Sequence, residues 1–284
     1  MPRRPVRCQW AGLSDALREF VTRPATQDQN HIKPLHWYIA CRLAIEGGFH
    51  PDEITPRPPF LVQGTKRNGL QLEYDPEAAG SGERTILGGL KTKSVDVVVT
   101  KNGIGPVLAI SVKGATKAFR NLTNRMEEAV GDCTNLHISY PTLVYGFFQV
   151  VKANRQGRGV KANDVAIGPD GRVCEGVVRY HDALARLAGR ADTRDDLTKY
   201  EAVCMVLVSP QRAMLGETVE TYPETDSPLR FDRFFETIYG QYEQRFIFAA
   251  PSLETTTRRL EWSPQSPVIG DSRSAGYEAR VAAD

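Results

Sequence analysis

The sequence predicts an α/β fold with a mixed central sheet flanked by helices, on three observations. SVDVVVT and PVLAISVK are apolar, β-branched runs separated by KNGIG, whose Asn-Gly dipeptide makes the pair a β-hairpin. After Gly114 the apolar period lengthens: Phe119, Leu122, Met126, Ala129 or Val130, Cys133 and Leu136 recur every three or four residues. That spacing writes an amphipathic helix of about five turns, from Ala118 to a stop at Pro141. TLVYGFFQVV then reads as another buried strand, so the order is strand, strand, helix, strand.

The other elements follow in chain order. Ser14 and Asp15 open a short helix with Leu13, Leu17, Phe20 and Val21 on one face, closed by Pro24. A second helix runs from Ile32 to Ile45 and ends at Gly47-Gly48, with Glu46 at its last turn. PDEITPRPPF is extended, and FLVQ, LQLEY and RTIL read as short strands of a twisted antiparallel sheet, divided by the turns GTKRNG and AAGSGE. Beyond TLVYGFFQVV, KANRQGRGVKAND is a basic loop, Val177 to Ala188 a helix and AVCMVLVS a strand. PLRFDRFFETIYGQYEQRF is an aromatic-rich helix, whose Phe231, Phe234, Phe235, Ile238, Tyr239 and Tyr242 suit a dimer contact and a core equally. The Ser/Thr/Pro-rich stretch from Pro251 reads as loop or tail.

Composition narrows the class. The 284 residues are 41% hydrophobic and 25% charged, which excludes collagen-like and largely disordered chains and supplies a sizeable core. There is no run of eighteen apolar residues, and MPRRPVRCQWAG lacks the apolar stretch of a signal peptide, so a soluble cytoplasmic protein is expected. Cys8, Cys41, Cys133, Cys174 and Cys204 are widely spaced and never form C-x-x-C, which suggests neither a disulfide framework nor a zinc knuckle. A net charge of +2 permits nucleic-acid binding without arguing for it. Phosphate-loop, dinucleotide, H-E-x-x-H and G-x-S-x-G motifs are absent. His31, His36, His50, His137 and His181 show no paired ligand spacing, and His31 with His36 at a helix start reads as capping or packing.

The hairpin carries the chemistry. With its turn centred between Ile104 and Gly105, antiparallel pairing brings Asp96 opposite Lys113. Alternation sends Ala109, Ser111 and Lys113 to one face and Leu108, Ile110 and Val112 to the other. A carboxylate inside VDVVV is unfavourable unless a cation satisfies it. A carboxylate beside a lysine is also what metal-dependent phosphodiester hydrolysis needs: the acid holds Mg²⁺, while the lysine positions the attacking water and offsets phosphate charge.

Through VDVVVTKNGIGPVLAISVKG the sequence resembles the PD-(D/E)XK nuclease superfamily, typified by type II restriction endonucleases. Asp96 matches the first acid and Lys113 the lysine, while Ser94-Val95-Asp96 replaces Pro-Asp and Ser111 stands where the second acid would be. A subset of restriction endonucleases resembles this chain in having S-x-K, with the missing acid supplied by a glutamate on the following helix. Glu127, fourteen residues after Lys113, matches that arrangement, and its neighbour Glu128 competes for the role. Glu46 resembles the N-terminal acid that many of these nucleases keep near the metal.

The resemblance implies a restriction-endonuclease-like domain, with a helical region at about 1–50, a catalytic core at about 60–152 and DNA-binding and dimerisation elaborations at about 153–284. It implies Mg²⁺-dependent, sequence-specific cleavage of double-stranded DNA by a homodimer in the cytoplasm of a bacterium or archaeon. Asp96 and Glu127, with Glu46, would hold the metal, Lys113 would orient the water, and Ser111 would hydrogen-bond behind them. Lys117, Arg120, Asn121, Asn124 and Arg125 are residue types that contact phosphates or read purine edges, or else form a solvated helix face. Lys152, Arg155, Arg158 and Lys161 form a phosphate clamp or a plain surface loop. The rival readings are a repair or modification-dependent nuclease of the same fold, and a DNA-binding protein that has lost catalysis.

Overall fold

The computed structural model describes residues 10, 12–24, 29–65, 69–117, 121–274 and 276–283. Two helices, α1 (Leu13–Thr22) and α2 (Lys33–Ile45), lead into a two-residue strand, β1 (Ile54–Thr55). Two ribbons follow, one of β2 (Phe60–Thr65) and β3 (Gly69–Tyr74), the other of β4 (Arg84–Leu87) and β5 (Thr92–Val95). The hairpin is β6 (Val97–Lys101) and β7 (Gly105–Ala115), and α3 (Leu122–Ser139) then crosses to β8 (Val144–Lys152). After α4 (Glu175–Arg186) and β9 (Ala202–Val208) come α5 (Phe231–Glu243), α6 (Glu254–Thr257) and α7 (Pro267–Ser274).

The central sheet has the order β1-β6-β7-β8-β9 and is mixed: β1, β6 and β7 pair antiparallel, while β7, β8 and β9 run parallel. Parallel neighbours need a crossover, and α3 and α4 supply the two. Both faces are covered, so β6 to β9 are apolar almost throughout. Val97, Val99, Leu108, Ile110, Val112 and Phe148 pack in one cluster with α1, α2 and α5. Val98, Ala109, Tyr145, Phe147, Val203 and Met205 pack in the other with α3 and α4.

Expectations for the hairpin register, the short strands and the C-terminal segment change, and the open choice for the aromatic helix is decided. The hairpin pairs Val97 with Ile110 and Lys101 with Gly105, so its turn is centred on Gly103, at φ +74°, and Val107 is taken up as an extra residue where the register shifts. Continued by one step, this register sets Asp96 level with Ser111 rather than opposite Lys113. The short strands make no single sheet, because the chain bends at Asp96 and leaves β5 to pair with β4 alone, while β2 and β3 pair with each other. The aromatic helix α5 is core: Phe234, Phe235, Ile238 and Tyr242 are buried in the cluster shared with α2.

The segment after Pro251 is no loose tail. Trp262 is fully buried and its Nε1 donates to Ala44 O at 2.9 Å, while Arg280 N donates to Ile45 O at 3.0 Å and Leu260 N to Gly48 O at 2.7 Å. The last carbonyls of a helix lack partners within it, and here a remote segment serves them. Gly48 is required at this joint: its φ is +66° and a Cβ would come within 2.2 Å of Leu260 O.

At the amino end of the parallel strands lies a buried ionic group. Glu201 Oε1 accepts from Arg190 Nη1 at 2.6 Å and Arg245 Nη1 at 2.7 Å, and its Oε2 accepts from Tyr145 N at 2.7 Å. Burial pushes its carboxyl up, but the His137 imidazole 3.5 Å away, the Arg245 charge and the Tyr145 N–H together bring it below the usual range. Among the described residues Cys41, Cys133, Cys174 and Cys204 form no disulfide, and no helix is long and apolar enough to cross a membrane.

Candidate active site

Asp96 occupies the bend between β5 and β6 and is only 4% exposed. Beyond the last hairpin pair, the Val112 N–H has lost its strand partner, and Asp96 Oδ2 accepts it at 2.7 Å. The half-buried Lys113 places Nζ 4.0 Å from the same oxygen, an opposite charge close enough to offset part of the desolvation of the carboxylate. One oxygen of Asp96 is thus anchored by the backbone, with the lysine charge beside it.

The other oxygen faces α2. His36 Nε2 lies 3.8 Å from Asp96 Oδ1, too far for a hydrogen bond, and this buried nitrogen has no hydrogen-bond partner among the described residues. Burial holds the His36 imidazole below the ordinary histidine value; Asp96 and Glu83 pull it up and Lys113 and Lys33 push it down. The ring is therefore neutral at neutral pH and offers a lone pair.

Glu83 completes the group. The ribbon pairs Arg84 with Val95, and one further step sets Glu83 opposite Asp96, on the same face. Ser94 Oγ, two residues before Asp96, donates to Glu83 Oε2 at 2.7 Å. One ligand atom from each of His36, Glu83 and Asp96 lies within 4.8 Å of the others. His36, Glu83 and Ser94 line a cavity of about 470 Å³ that Lys33 also borders. Two carboxylates and an unpartnered imidazole nitrogen beside an open cavity fit a divalent cation.

The other sequence candidates fall in different places. Ser111 is buried and shares a hydrogen bond of 2.8 Å with Tyr145 OH, and the Gln149 amide donates to Lys113 O at 3.1 Å from the next strand. Glu46 lies ten residues along α2 from His36, roughly 15 Å at the helical rise. There it is bonded to Arg42 and accepts from Glu278 N at 2.9 Å, so the structure does not bring it to Asp96. Glu127 and Glu128 are exposed on α3 and stand outside the group of three. The reason is helical phase: Leu122, Met126, Ala129, Cys133 and Leu136 pack on the sheet, and Glu127 is turned about 100° from Met126.

Lys117, Asn121, Asn124, Arg155, Arg158 and Lys161 are exposed, and Arg120 lies outside the described residues. Arg125 is half-buried with Nη1 3.4 Å from Gly114 O. Lys152 Nζ donates to Val21 O at 2.9 Å, and burial, then the charge of Lys117, holds its ammonium below the ordinary lysine value. Basic groups thus gather towards the carboxyl ends of β7 and β8.

His36 and Glu83 are the residues that sequence reading missed. Glu83 could have been found by pairing RTIL with TKSV, a register that puts it across from Asp96. No family model, curated protein or solved structure matches the chain.

Proposed function

We propose that this chain is a metal-dependent nuclease of the PD-(D/E)XK kind, a type II restriction endonuclease that hydrolyses double-stranded DNA at a specific sequence. One observation carries the reading. The buried Asp96 carboxylate, anchored by Val112 N–H, lies 4.0 Å from the Lys113 ammonium in a hairpin that is followed by a helix and a parallel strand. A divalent cation, Mg²⁺ in this reading, would acidify the attacking water and offset the charge of the scissile phosphate when bound.

Asp96 and Glu83 supply the carboxylates for that cation. Lys113 orients the water and faces the negative charge that grows on the phosphate, and its ammonium is steadied by Asp96. Ser111, bonded to Tyr145, holds β7 against β8 beneath the site. Lys117, Lys152, Arg155 and Arg158 are positioned to meet the DNA backbone, with Asn121, Asn124 and Arg125 at the start of α3 beside them. Two cuts in a palindromic duplex call for two such sites related by a two-fold axis, so a homodimer belongs to the proposal.

The test is incubation of purified protein with unmethylated phage DNA, with and without Mg²⁺, followed by sizing and end-sequencing. Discrete Mg²⁺-dependent fragments with 5′-phosphate ends are expected. Intact DNA on methylated and unmethylated substrates alike would overturn the proposal.

A further inference from the structure

We infer that His36 is itself a metal ligand, so that the site formed by His36, Asp96 and Glu83 selects first-row transition-metal dications over Mg²⁺ and Ca²⁺. The inference rests on the reading of this site as a metal centre and goes beyond it by assigning the nitrogen donor and the metal preference.

Three observations carry it. His36 is 3% exposed, and its Nε2 is a buried polar atom with no hydrogen-bond partner among the described residues. Such atoms are rare in folded proteins, because leaving one unpaired costs about 1–3 kcal/mol. Second, the ring is directed at the acids: Nε2 stands 3.8 Å from Asp96 Oδ1, and one ligand atom each of His36, Asp96 and Glu83 lie within 4.8 Å of one another. A gap of that size is too wide for a direct hydrogen bond, yet two donors that each sit about 2.1 Å from one ion are themselves roughly 3–4 Å apart. Third, the two carboxylates are held from outside the group, Asp96 through Val112 N–H and Glu83 through Ser94 Oγ. Partners of this kind orient the ligands of metal sites.

The nitrogen decides the selectivity. Mg²⁺ and Ca²⁺ take oxygen ligands and gain little from an imidazole. Mn²⁺ accepts carboxylates and imidazole together, and the later metals up to Zn²⁺ bind nitrogen more strongly still.

The experiment titrates the full chain with Mn²⁺ and follows loss of the free-ion electron paramagnetic resonance signal. Pulsed spectra of the bound ion are recorded on protein made with ordinary and with ¹⁵N-labelled histidine. The inference expects one site bound at least tenfold more tightly by Mn²⁺ than by Mg²⁺ or Ca²⁺ in competition. It also expects a nitrogen coupling that changes from ¹⁴N to ¹⁵N on labelling. His36→Ala should remove the coupling and weaken binding at least tenfold. Glu83→Gln, at an exposed position, keeps an oxygen for Ser94 Oγ and should weaken binding while the coupling stays. Bound Mn²⁺ without histidine coupling, Mn²⁺ displaced by an equal concentration of Mg²⁺, or Glu83→Gln binding as wild type would each overturn the inference. None of these readouts uses DNA, so coupled Mn²⁺ with intact DNA would keep the metal site and remove the nuclease reading. Mg²⁺-dependent cleavage without histidine coupling would do the reverse.

Discussion

Two buried acids on the same sheet are treated in opposite ways. Glu201, at the amino end of β9, has both oxygens engaged by two arginines and a backbone N–H. Asp96, at the start of β6, has Oδ2 fixed by Val112 N–H, while its Oδ1 faces a histidine nitrogen that has no hydrogen-bond partner among the described residues. Both carboxylates are withdrawn from water at a similar penalty. The first is repaid within the fold, which makes it an internal fastening. The second is repaid by half, beside a cavity, which leaves it able to take up something from outside.

The contrast breaks most sharply under the same isosteric change at each end. Glu201→Gln leaves two buried guanidinium groups facing a neutral amide and should lower unfolding free energy by about 3–5 kcal/mol in urea titrations. A loss below 1 kcal/mol would show that the ionic group is no fastening. Its pH dependence has a definite sign. The folded Glu201 carboxyl titrates below its unfolded value, so its stabilisation is complete above about pH 4.3 and drains away as pH falls further. Wild-type urea midpoints should therefore fall more steeply below pH 4.3 than those of Glu201→Gln, and parallel curves would contradict the assignment.

At the open end the expected losses are in activity. Lys113→Ala should reduce DNA cleavage roughly 10²–10³-fold, as loss of one charge-stabilising donor does elsewhere. Wild-type rates in that variant would take Lys113 out of the mechanism. Asp96→Asn keeps an oxygen for Val112 N–H and should change stability by no more than about 1 kcal/mol while abolishing measurable cleavage. A stability loss as large as that at Glu201 would make Asp96 a fastening too. The smallest effect is electrostatic: Lys117→Ala should flatten the slope of log K for duplex DNA against log salt by about 0.9, and an unchanged slope would place Lys117 away from the phosphates.

The elements of this fold were legible wherever one period dominates. The runs at Val97, Val107, Val144 and Ala202 are strands, and the stripe from Leu122 to Leu136 is a helix. Registers were not legible, because the turn is centred on Gly103 rather than between Ile104 and Gly105, which draws Asp96 three positions back from Lys113, and Val107 then adds one residue, which leaves it level with Ser111. In α2 ten of the thirteen residues are buried, so no polar face marks where His36 points. The placement of Glu127 was within reach, since the stripe through Met126 and Ala129 already turns it off the sheet.

The clasp on α2 has a consequence in time. The helix that carries His36 ends in carbonyls served by Trp262 and Arg280, more than 210 residues downstream of the carbonyls they bind. Contacts of such long sequence separation form late and slowly in folding. A chain that has not yet reached residue 280 cannot complete this brace on the helix that carries the histidine. Closure of the clasp would then be one of the last events in the birth of the molecule.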